Sequence, residues 1–375
     1  MLPYGRQDIE PEDVEAVVAA LKSDWLTTGP EVAKFESAIS EAAGGAHAAA
    51  VTSGTAALHT AYAAAGIRPG DEVVSTPMTF VATQSTACQH GAKIVFADID
   101  PETGNLDPKA AEAAVTSKTK AIAAVDYAGH PVDAPEFQRI AEAAGALFVE
   151  DAAHSIGSTL NGVPVGQLAD LTTFSFFPTK NLTTAEGGAV VTPREDLVAR
   201  ARNFKGLGLV RDREKMRMPD EGPWHQEVHE FGLNYRLPDV LCALGTSQIA
   251  RLGAYKARRQ EIHDRYNAAF RGNPNLTLPG VKEGASPMWH LYPLRVEAER
   301  RRAIFEELRN RGIGVQVNYI PSYWHPVFED MGYKRGMCPN AEQFYREEIS
   351  LPLFATLTDS QADMVIENVL EIVGE

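Results

Sequence analysis

Short apolar runs alternate with helical patterns over the first two-thirds of the chain, and this alternation restricts the fold more than any other feature. A helical pattern such as residues 134–144 follows most of the runs. Strands that are buried on both faces and separated by helices form a largely parallel sheet. We therefore predict an α/β domain with strands at residues 46–52, 71–75, 94–97, 120–125, 146–149, 171–176 and 188–192 and further helices at 56–65 and 107–114.

The last third of the chain has fewer apolar runs and longer charged helical patterns. It predicts a smaller α+β domain, and no repeat or low-complexity linker separates it from the first part. The predicted elements are a charged helix at 248–267, a loop at 274–287, strands at 290–296 and 315–319, and helices at 300–311 and 359–373.

Composition and charge exclude several classes of protein. The 375 residues carry a formal net charge of -15, so we expect neither nucleic acid nor an anionic membrane as a partner. The first residues lack the pattern of a signal peptide, and no apolar run is long enough to span a bilayer. Cys88, Cys242 and Cys338 are scattered without metal-ligand spacing, which indicates reduced thiols. We expect a cytoplasmic protein without a metal site.

An acidic residue, Asp151, follows the predicted strand at 146–149. A carboxylate buried at a strand end needs a partner, because an unpaired buried charge is costly. One candidate partner is a pyridine nitrogen, which the carboxylate keeps protonated so that the ring accepts electrons. The alternative is that Asp151 caps a helix or lies in a loop, as aspartate commonly does.

A lysine, Lys180, lies in the polar turn after the predicted strand at 171–176. At the mouth of a buried sheet its amine would lose contact with water, which lowers the pKa and makes the amine a nucleophile for a carbonyl. The alternative is an exposed loop lysine, the usual environment of this residue type. Ser175, at the end of the same strand, could hydrogen-bond a phosphate.

Small residues follow the first predicted strand and open a helix at Ser53, Gly54 and Thr55. Free backbone N–H groups at a helix start bind anions, although Ser53 or Thr55 could instead cap the helix. Phe80, after another strand, could stack on an aromatic ring or be a core residue. Together with the acid and the lysine, these residues supply what pyridoxal phosphate requires, each at a strand end where α/β sheets bind ligands.

Six motifs, at residues 27–29, 53–58, 151–154, 175–180, 186–188 and 232–236, extend this pattern along essentially the whole chain. With them the chain resembles the DegT/DnrJ/StrS family of sugar aminotransferases. The lysine segment and the Gly-Leu-Asn-Tyr-Arg segment are highly specific when they occur together. The resemblance implies the aspartate-aminotransferase fold (fold type I), with a cofactor-binding large domain at residues 12–245 and a small domain formed by residues 1–11 and 246–375.

The resemblance also implies roles for the cofactor residues. Lys180 would carry pyridoxal 5'-phosphate as a Schiff base and be the catalytic residue, and Asp151 would hold the pyridine nitrogen. Asn234 would reach across a homodimer interface to the phosphate in the neighbouring subunit. His154 stands where many members carry Gln, and it is expected to contact the cofactor. The other contacts would be Gly54, Thr55 and Ser175 at the phosphate and Phe80 on the ring face.

Within the family, the motifs at 125–129, 183–192, 290–293, 316–319, 341–345 and 348–352 are most similar to the transaminases of pseudaminic acid synthesis. This resemblance implies amino transfer from L-glutamate to a UDP-linked 4-keto-6-deoxy-N-acetylhexosamine, which gives the 4-amino sugar. The nucleotide sugar would be bound by Tyr4, Asp24, Trp25, Leu26, Thr27, Gln316, Val317, Asn318 and Tyr319.

Three other functions are compatible with the same cofactor site. The substrate could be another nucleotide sugar, linked to dTDP or GDP and with the ketone at C3 or C4. A dehydratase on this fold lacks the Schiff-base lysine, and Lys180 in a well-matched segment argues against it. A non-catalytic regulator that binds pyridoxal phosphate would need a DNA-binding segment or a broken site, but the sequence contains no basic helix-turn-helix pattern and lacks none of the expected cofactor residues.

Overall fold

The computed structural model describes residues 1–374, which form helices arranged around several β-sheets. The strands are β1 (His47–Val51), β2 (Glu72–Ser75), β3 (Lys93–Phe96), β4 (Thr119–Val125), β5 (Leu147–Asp151), β6 (Thr159–Leu160), β7 (Val163–Pro164), β8 (Leu171–Ser175), β9 (Gly188–Thr192), β10 (Leu209–Val210), β11 (Glu227–Val228), β12 (Leu276–Thr277), β13 (Ala285–Ser286), β14 (Tyr292–Val296) and β15 (Glu348–Leu351). The helices are α1 (Pro11–Leu21), α2 (Pro30–Ala42), α3 (Gly54–Ala65), α4 (Ala82–Gln89), α5 (Pro108–Ala114), α6 (Ala134–Ala144), α7 (Glu195–Lys205), α8 (Asp239–Ile249), α9 (Leu252–Phe270), α10 (Arg301–Asn310), α11 (Pro326–Asp330), α12 (Pro339–Glu347) and α13 (Asp359–Gly374).

The largest sheet has seven strands in the order β1-β9-β8-β5-β4-β2-β3. β9 is antiparallel to both of its neighbours, and every other pair of neighbours is parallel. All residues of β8 and β9 are buried, as expected for strands covered on both faces. The predicted α/β fold with a mostly parallel sheet is confirmed. Six strands point the same way, so their carboxyl ends lie along one edge of the sheet.

A smaller antiparallel sheet lies in the C-terminal part, with strand order β12-β14-β15. It packs with α9, α10 and α13 into a separate hydrophobic cluster that contains Tyr266, Phe270 and Tyr292. Leu2 pairs with Ile313 and packs against the same cluster. The boundary predicted between residues 245 and 246 falls inside α8, and the domain division stays a prediction.

A hairpin formed by β10 and β11 extends from the surface. Two large apolar side chains on it are mostly exposed, Trp224 at 78% and Phe231 at 94%. The remaining strands, β6, β7 and β13, form a small antiparallel sheet. Within residues 1–374, no helix has the length and apolar character that crossing a membrane requires.

The strands predicted for the large sheet are confirmed to within two residues at each end, and Asp151 is the last residue of its strand rather than the residue after it. Helix α6 begins and ends at the predicted residues. The prediction omitted β15 and several helices, among them α1, α2, α4, α7 and α12, which are amphipathic or polar segments between the buried runs.

The strand predicted at 315–319 is wrong. This segment forms only one bridge, between Gln316 and Ser350. Its next backbone donors bond to side chains instead of a neighbouring strand: Asn318 N–H donates to Glu348 Oε2 at 2.8 Å, and Tyr319 N–H to the sulfur of Met78 at 3.5 Å. The apolar pattern of the segment therefore reflects burial without a sheet.

The single helix predicted at 248–267 is also wrong, because it spans the end of α8 and most of α9. Arg251 lies between the two helices with φ -100° and ψ 4°. Its guanidinium bonds to the carboxylate of Asp13 at 2.5 Å and to the hydroxyl of Tyr255 at 2.9 Å. Two short strands also lie in the predicted loop at 274–287.

The carboxylate of Asp239 fixes the chain that leads into α2. It is fully buried and accepts hydrogen bonds from Gly29 N–H at 2.8 Å and Glu31 N–H at 3.0 Å. Its own N–H donates to the carbonyl of Leu26 at 3.1 Å. Gly29 tolerates no side chain, because a Cβ there would lie 2.6 Å from Asp239 Oδ1. The side chain of Asp239 thus fixes the start of α2, and its backbone N–H holds the preceding loop at Leu26.

We expect Asp239→Ala to lower the free energy of unfolding by about 2–3 kcal/mol, because two backbone N–H groups lose their acceptor. Urea unfolding followed by circular dichroism measures the change. Asp239→Asn is the matched control and should lose less, since its carbonyl oxygen still accepts one of the two bonds. Equal stability of Asp239→Ala and the unsubstituted protein would contradict this role.

Candidate active site

A cavity of about 420 Å³ opens at the carboxyl ends of the parallel strands. It is lined from five of those ends, at Ser53 after β1, Phe80 after β2, Val125 in β4, Asp151 in β5 and Ser175 in β8. Its size lies in the range of about 300–1,000 Å³ that is typical of small-molecule sites. The cavity therefore occupies the position that the sequence predicts for a ligand.

One wall of the cavity is the beginning of α3. Ser53 Oγ caps this helix by accepting from Ala56 N–H at 3.1 Å, so the first amides, of Gly54 and Thr55, remain oriented toward the cavity end of the helix. A Cβ on Gly54 would lie 2.7 Å from the Cβ of Ser175, so only glycine allows this approach. This wall combines the amides at the start of α3 with the hydroxyl side chains of Ser53 and Ser175, and it is suited to binding an anion.

Asp151 is buried beside the cavity without a hydrogen-bonded cation. Its Oδ2 accepts from the hydroxyl of Thr83 at 2.6 Å, and its Oδ1 accepts from Ala153 N–H at 3.2 Å. The Thr83 hydroxyl lies 2.9 Å from that of Thr79. Burial raises the pKa of Asp151 above its ordinary value, although both hydrogen bonds and the charge of Lys180 act in the opposite direction. The carboxylate would be stabilised by a ligand that brings a positive N–H group.

Lys180 lies in the turn after β8 and lines the same cavity. Burial lowers the pKa of its amine to about 8, and the negative charge of Asp151 raises it only partly. The two groups influence each other through space and not through a hydrogen bond. A fraction of the amine is therefore neutral near pH 7 and is able to attack a carbonyl.

Two histidines and a tyrosine form another wall. The rings of His154 and His290 lie 4.3 Å apart between centroids, and the hydroxyl of Tyr319 lies 3.1 Å from His154 Nε2. Burial lowers the pKa of His154 well below its ordinary value, and the charge of Lys180 adds to this effect, so the ring is neutral. When Tyr319 donates to Nε2, the buried Nδ1 of His154 carries the proton and has no acceptor within residues 1–374.

The cavity brings together most of the predicted site residues. Phe80, 59% exposed, lies at its mouth with Phe177, which is 45% exposed. The predicted residues that line it are Tyr4, Gly54, Thr55, Phe80, Asp151, His154, Ser175, Lys180, Gln316, Asn318 and Tyr319.

Six predicted residues do not line the cavity of a single chain. Asp24, Trp25, Leu26 and Thr27 are exposed on the loop before α2, and Val317 is partly buried and does not line the cavity, although both of its neighbours do. Asn234 is exposed near the base of the hairpin, where its backbone pairs with Gly206. Their roles stay predictions.

Sequence reasoning missed several lining or supporting residues. Thr83 lies in the segment that yielded Phe80, and its hydroxyl was identifiable only through the packing of α4 against β5. His290 was placed in a predicted strand, with no spacing signal that relates it to His154. The other omitted lining residues include Thr79, Phe177, Thr179 and Glu186.

The residues present fit pyridoxal phosphate. The helix-start wall matches the phosphate, Asp151 matches a protonated ring nitrogen, and the amine of Lys180 matches the aldehyde. The phosphate, the ring nitrogen and the aldehyde of the cofactor therefore each have a complementary group in one cavity.

Comparison with known proteins gives matches along nearly the whole chain. Residues 7–370 match the DegT/DnrJ/EryC1/StrS aminotransferase family. The chain is 39% identical to the spore coat polysaccharide biosynthesis protein SpsC of Bacillus subtilis, over 99% of this chain and 97% of the relative. It is 35% identical to the UDP-4-amino-4,6-dideoxy-N-acetyl-beta-L-altrosamine transaminase of Campylobacter jejuni, over 99% and 97% of the two chains.

A solved structure has the same overall fold. The putative sugar aminotransferase Spr1654 of Streptococcus pneumoniae, in its PLP form, superposes with a TM-score of 0.93 at 30% identity and covers 100% of this chain and 98% of its own.

The lowered pKa of Lys180 predicts how its reactivity depends on pH. With a pKa of about 8, roughly a quarter of the amine is neutral at pH 7.5, against about one part in a thousand for an ordinary lysine. Reductive alkylation of the cofactor-free protein with a small aldehyde should therefore rise at Lys180 with a midpoint near pH 8, measured by peptide mass spectrometry. Nα-acetyl-lysine in the same solution is the reference. A midpoint above pH 10 would contradict the assigned environment.

Proposed function

Because the chain belongs to the DegT/DnrJ/EryC1/StrS aminotransferase family, it is a pyridoxal-phosphate-dependent sugar aminotransferase, and we propose that it aminates a UDP-linked 4-keto-6-deoxy-N-acetylhexosamine with L-glutamate as donor. The observation that carries this proposal is the meeting of the buried Asp151 carboxylate and the Lys180 amine in one cavity. The similarity to the Campylobacter transaminase, along nearly the whole of both chains, supports the substrate class.

We assign the cofactor side of the cavity as follows. When bound, pyridoxal phosphate supplies an aldehyde for covalent attachment and a protonated ring that withdraws electrons from the reacting carbon. Asp151 would hold the proton on the ring nitrogen, and the amides of Gly54 and Thr55 with the hydroxyl of Ser175 would hold the phosphate. Phe80 at the mouth would cover the ring and exclude water.

Lys180 would perform the proton transfers. Its Nζ would hold the cofactor at the aldehyde carbon until the amine of glutamate takes that place. The amine of Lys180 would then accept the proton from the amino-bearing carbon of glutamate and, in the second half of the reaction, would deliver a proton to C4 of the sugar. Because the amine would deliver this proton from one face of the sugar, C4 would receive a single configuration.

The opposite side of the cavity would bind the nucleotide sugar. Tyr4, Gln316, Asn318 and Tyr319 line this side with hydroxyl and amide groups. Such groups pair with sugar hydroxyl, N-acetyl and nucleotide groups through directional hydrogen bonds. Val317 belongs to the same segment, and we assign it with its neighbours.

We further propose a homodimer with shared sites. The loop with Asp24–Thr27, the hairpin with Phe231 and the segment with Asn234 expose apolar and amide side chains that the single chain leaves uncovered. A second copy that covers them would place Asn234 at the phosphate of its neighbour and the residues of the 24–27 loop at the neighbour's nucleotide sugar. We assign the protein to the cytoplasm, where its free thiols Cys88, Cys242 and Cys338 stay reduced.

The first test of this function is turnover with a panel of nucleotide keto sugars. With pyridoxal phosphate and L-glutamate, the UDP-linked 4-keto-6-deoxy-N-acetylhexosamine should give the 4-amino sugar, identified by mass and by NMR couplings at C4. Lys180→Ala should lower kcat by roughly 10⁴-fold or more, because nucleophile and base are both lost. Preference for a dTDP- or GDP-linked keto sugar would replace the substrate assignment, and full turnover by Lys180→Ala would refute the mechanism.

The shared site predicts complementation between two impaired variants. Asn234→Ala should lower kcat/KM roughly tenfold or more, because a phosphate contact is lost. A hybrid dimer of Lys180→Ala and Asn234→Ala chains, isolated through two different tags, contains one site with both residues intact. It should therefore recover about half of the unsubstituted activity per dimer. Hybrids no more active than the two parents would exclude a site shared in this way.

A further inference from the structure

A buried carboxylate lies behind the segment 316–319 without lining the cavity. Glu348, the first residue of β15, is fully buried. Its Oε2 accepts from Asn318 N–H at 2.8 Å, and its Oε1 shares a short hydrogen bond with the hydroxyl of Ser350. The same hydroxyl accepts from Asn318 Nδ2 at 3.1 Å. The carboxyl group and the serine thus hold both the backbone and the side chain of Asn318.

Further bonds fix the neighbours of Asn318. Tyr127 Oη donates to the carbonyl of Asn318 at 2.5 Å. Ser350 N–H donates to the carbonyl of Gln316 at 2.8 Å, and Gln316 N–H to the carbonyl of Ser350 at 3.3 Å. Tyr319 in turn contacts His154 through its hydroxyl. Three lining residues therefore take their positions from a segment anchored on β15.

We propose that Glu348 is a positioning residue for the nucleotide-sugar side of the site, acting through Asn318 on the whole segment 316–319. This inference rests on the proposed function, because it assumes that this segment contacts the nucleotide sugar. The segment has no strand partner for Asn318 N–H, so a side chain must supply the acceptor, and Glu348 Oε2 does so.

The chemistry of the Glu348 carboxyl group agrees with this role. Burial raises its pKa to about 8, against the lowering effect of its bonds to Ser350 and Asn318. The carboxyl group accepts from two donors, Asn318 N–H at one oxygen and the Ser350 hydroxyl at the other. A glutamine has the same shape, keeps the acceptor for Asn318 N–H and can donate its amide N–H to the Ser350 oxygen, whereas an alanine offers neither contact.

The position of Glu348 predicts that the two half-reactions respond differently. Asp151, Lys180 and the phosphate wall lie on β5, after β8 and on α3, and Glu348 makes no hydrogen bond to any of them. Loss of Glu348 should therefore impair binding of the sugar and leave the reaction with glutamate unchanged. A residue that matters only for stability would affect both.

The experiment measures each half-reaction in the holoenzyme of the Glu348→Ala and Glu348→Gln variants. Glutamate is added first and the cofactor absorbance is followed; then the UDP-linked keto sugar is added to the aminated enzyme. Binding of UDP-N-acetylglucosamine, a nucleotide sugar without a ketone, is measured separately by calorimetry. Glu348→Ala should raise the KM for the keto sugar and the Kd of UDP-N-acetylglucosamine roughly tenfold, with the glutamate half-reaction within about threefold of the unsubstituted rate.

The matched variants keep the inference falsifiable. Glu348→Gln should stay within about threefold of the unsubstituted enzyme on every readout. If Glu348→Ala does not fold, the smaller change Ser350→Ala replaces it and should show part of the expected loss in sugar binding. The inference is overturned if Glu348→Ala changes neither constant, if it slows both half-reactions equally, or if Glu348→Gln is as impaired as Glu348→Ala. Failure of the proposed function is distinct, because the unsubstituted enzyme would then neither bind UDP-N-acetylglucosamine nor convert the keto sugar.

Discussion

The carboxylate of Asp151, buried at the end of β5 without a hydrogen-bonded cation, is the constraint on which the rest of the site depends. An isolated buried charge is costly, and the bonds from Thr83 and Ala153 offset only part of that cost, since burial still raises the pKa. Burial also lowers the pKa of the Lys180 amine. A ligand with a basic ring nitrogen and a reactive carbonyl would stabilise the carboxylate and react with the amine. The folded chain therefore presents both groups before the cofactor binds.

The topology of the sheet allows this arrangement. β9 runs antiparallel between β1 and β8, and its first residue, Gly188, pairs with Val51 on one side and Ser175 on the other. A Cβ on Gly188 would lie 2.5 Å from the carbonyl of Ser53 and 2.7 Å from that of Phe174. Absence of a side chain there lets the start of α3 approach the end of β8 across an intervening strand. The anion site therefore depends on a glycine that does not itself touch the ligand.

The sequence predicts that Asp151 and Lys180 meet in one cavity, because the signals for these two residues are local. A buried strand followed by an acid, or by a polar turn with one lysine, is visible in a few residues, and parallel strands then bring Asp151 and Lys180 to one edge. His290 and Thr83 carry no such signal, because their places depend on how distant elements pack. The strand predicted at 315–319 failed for a related reason: its burial resembles that of a strand, but its donors bond to Glu348 and Met78.

The two sides of the cavity are consequently built by different means. The cofactor side uses strand ends and a helix start, whose geometry the large sheet fixes. The side that we propose for the nucleotide sugar uses irregular segments held from behind by buried polar side chains. Arg259 is an example: it is buried, and its guanidinium donates to the carbonyls of Trp289 and Leu353 at 3.1 and 3.0 Å.

Leu353 N–H in turn donates to the carbonyl of Tyr4 at 3.0 Å, so Arg259 connects the segment before His290 with the segment that carries a predicted sugar contact. Exchange of side chains in such segments alters the shape offered to the sugar without moving β5 or β8. A fold of this kind keeps one chemistry at the sheet edge while the opposite wall is free to accept different nucleotide sugars.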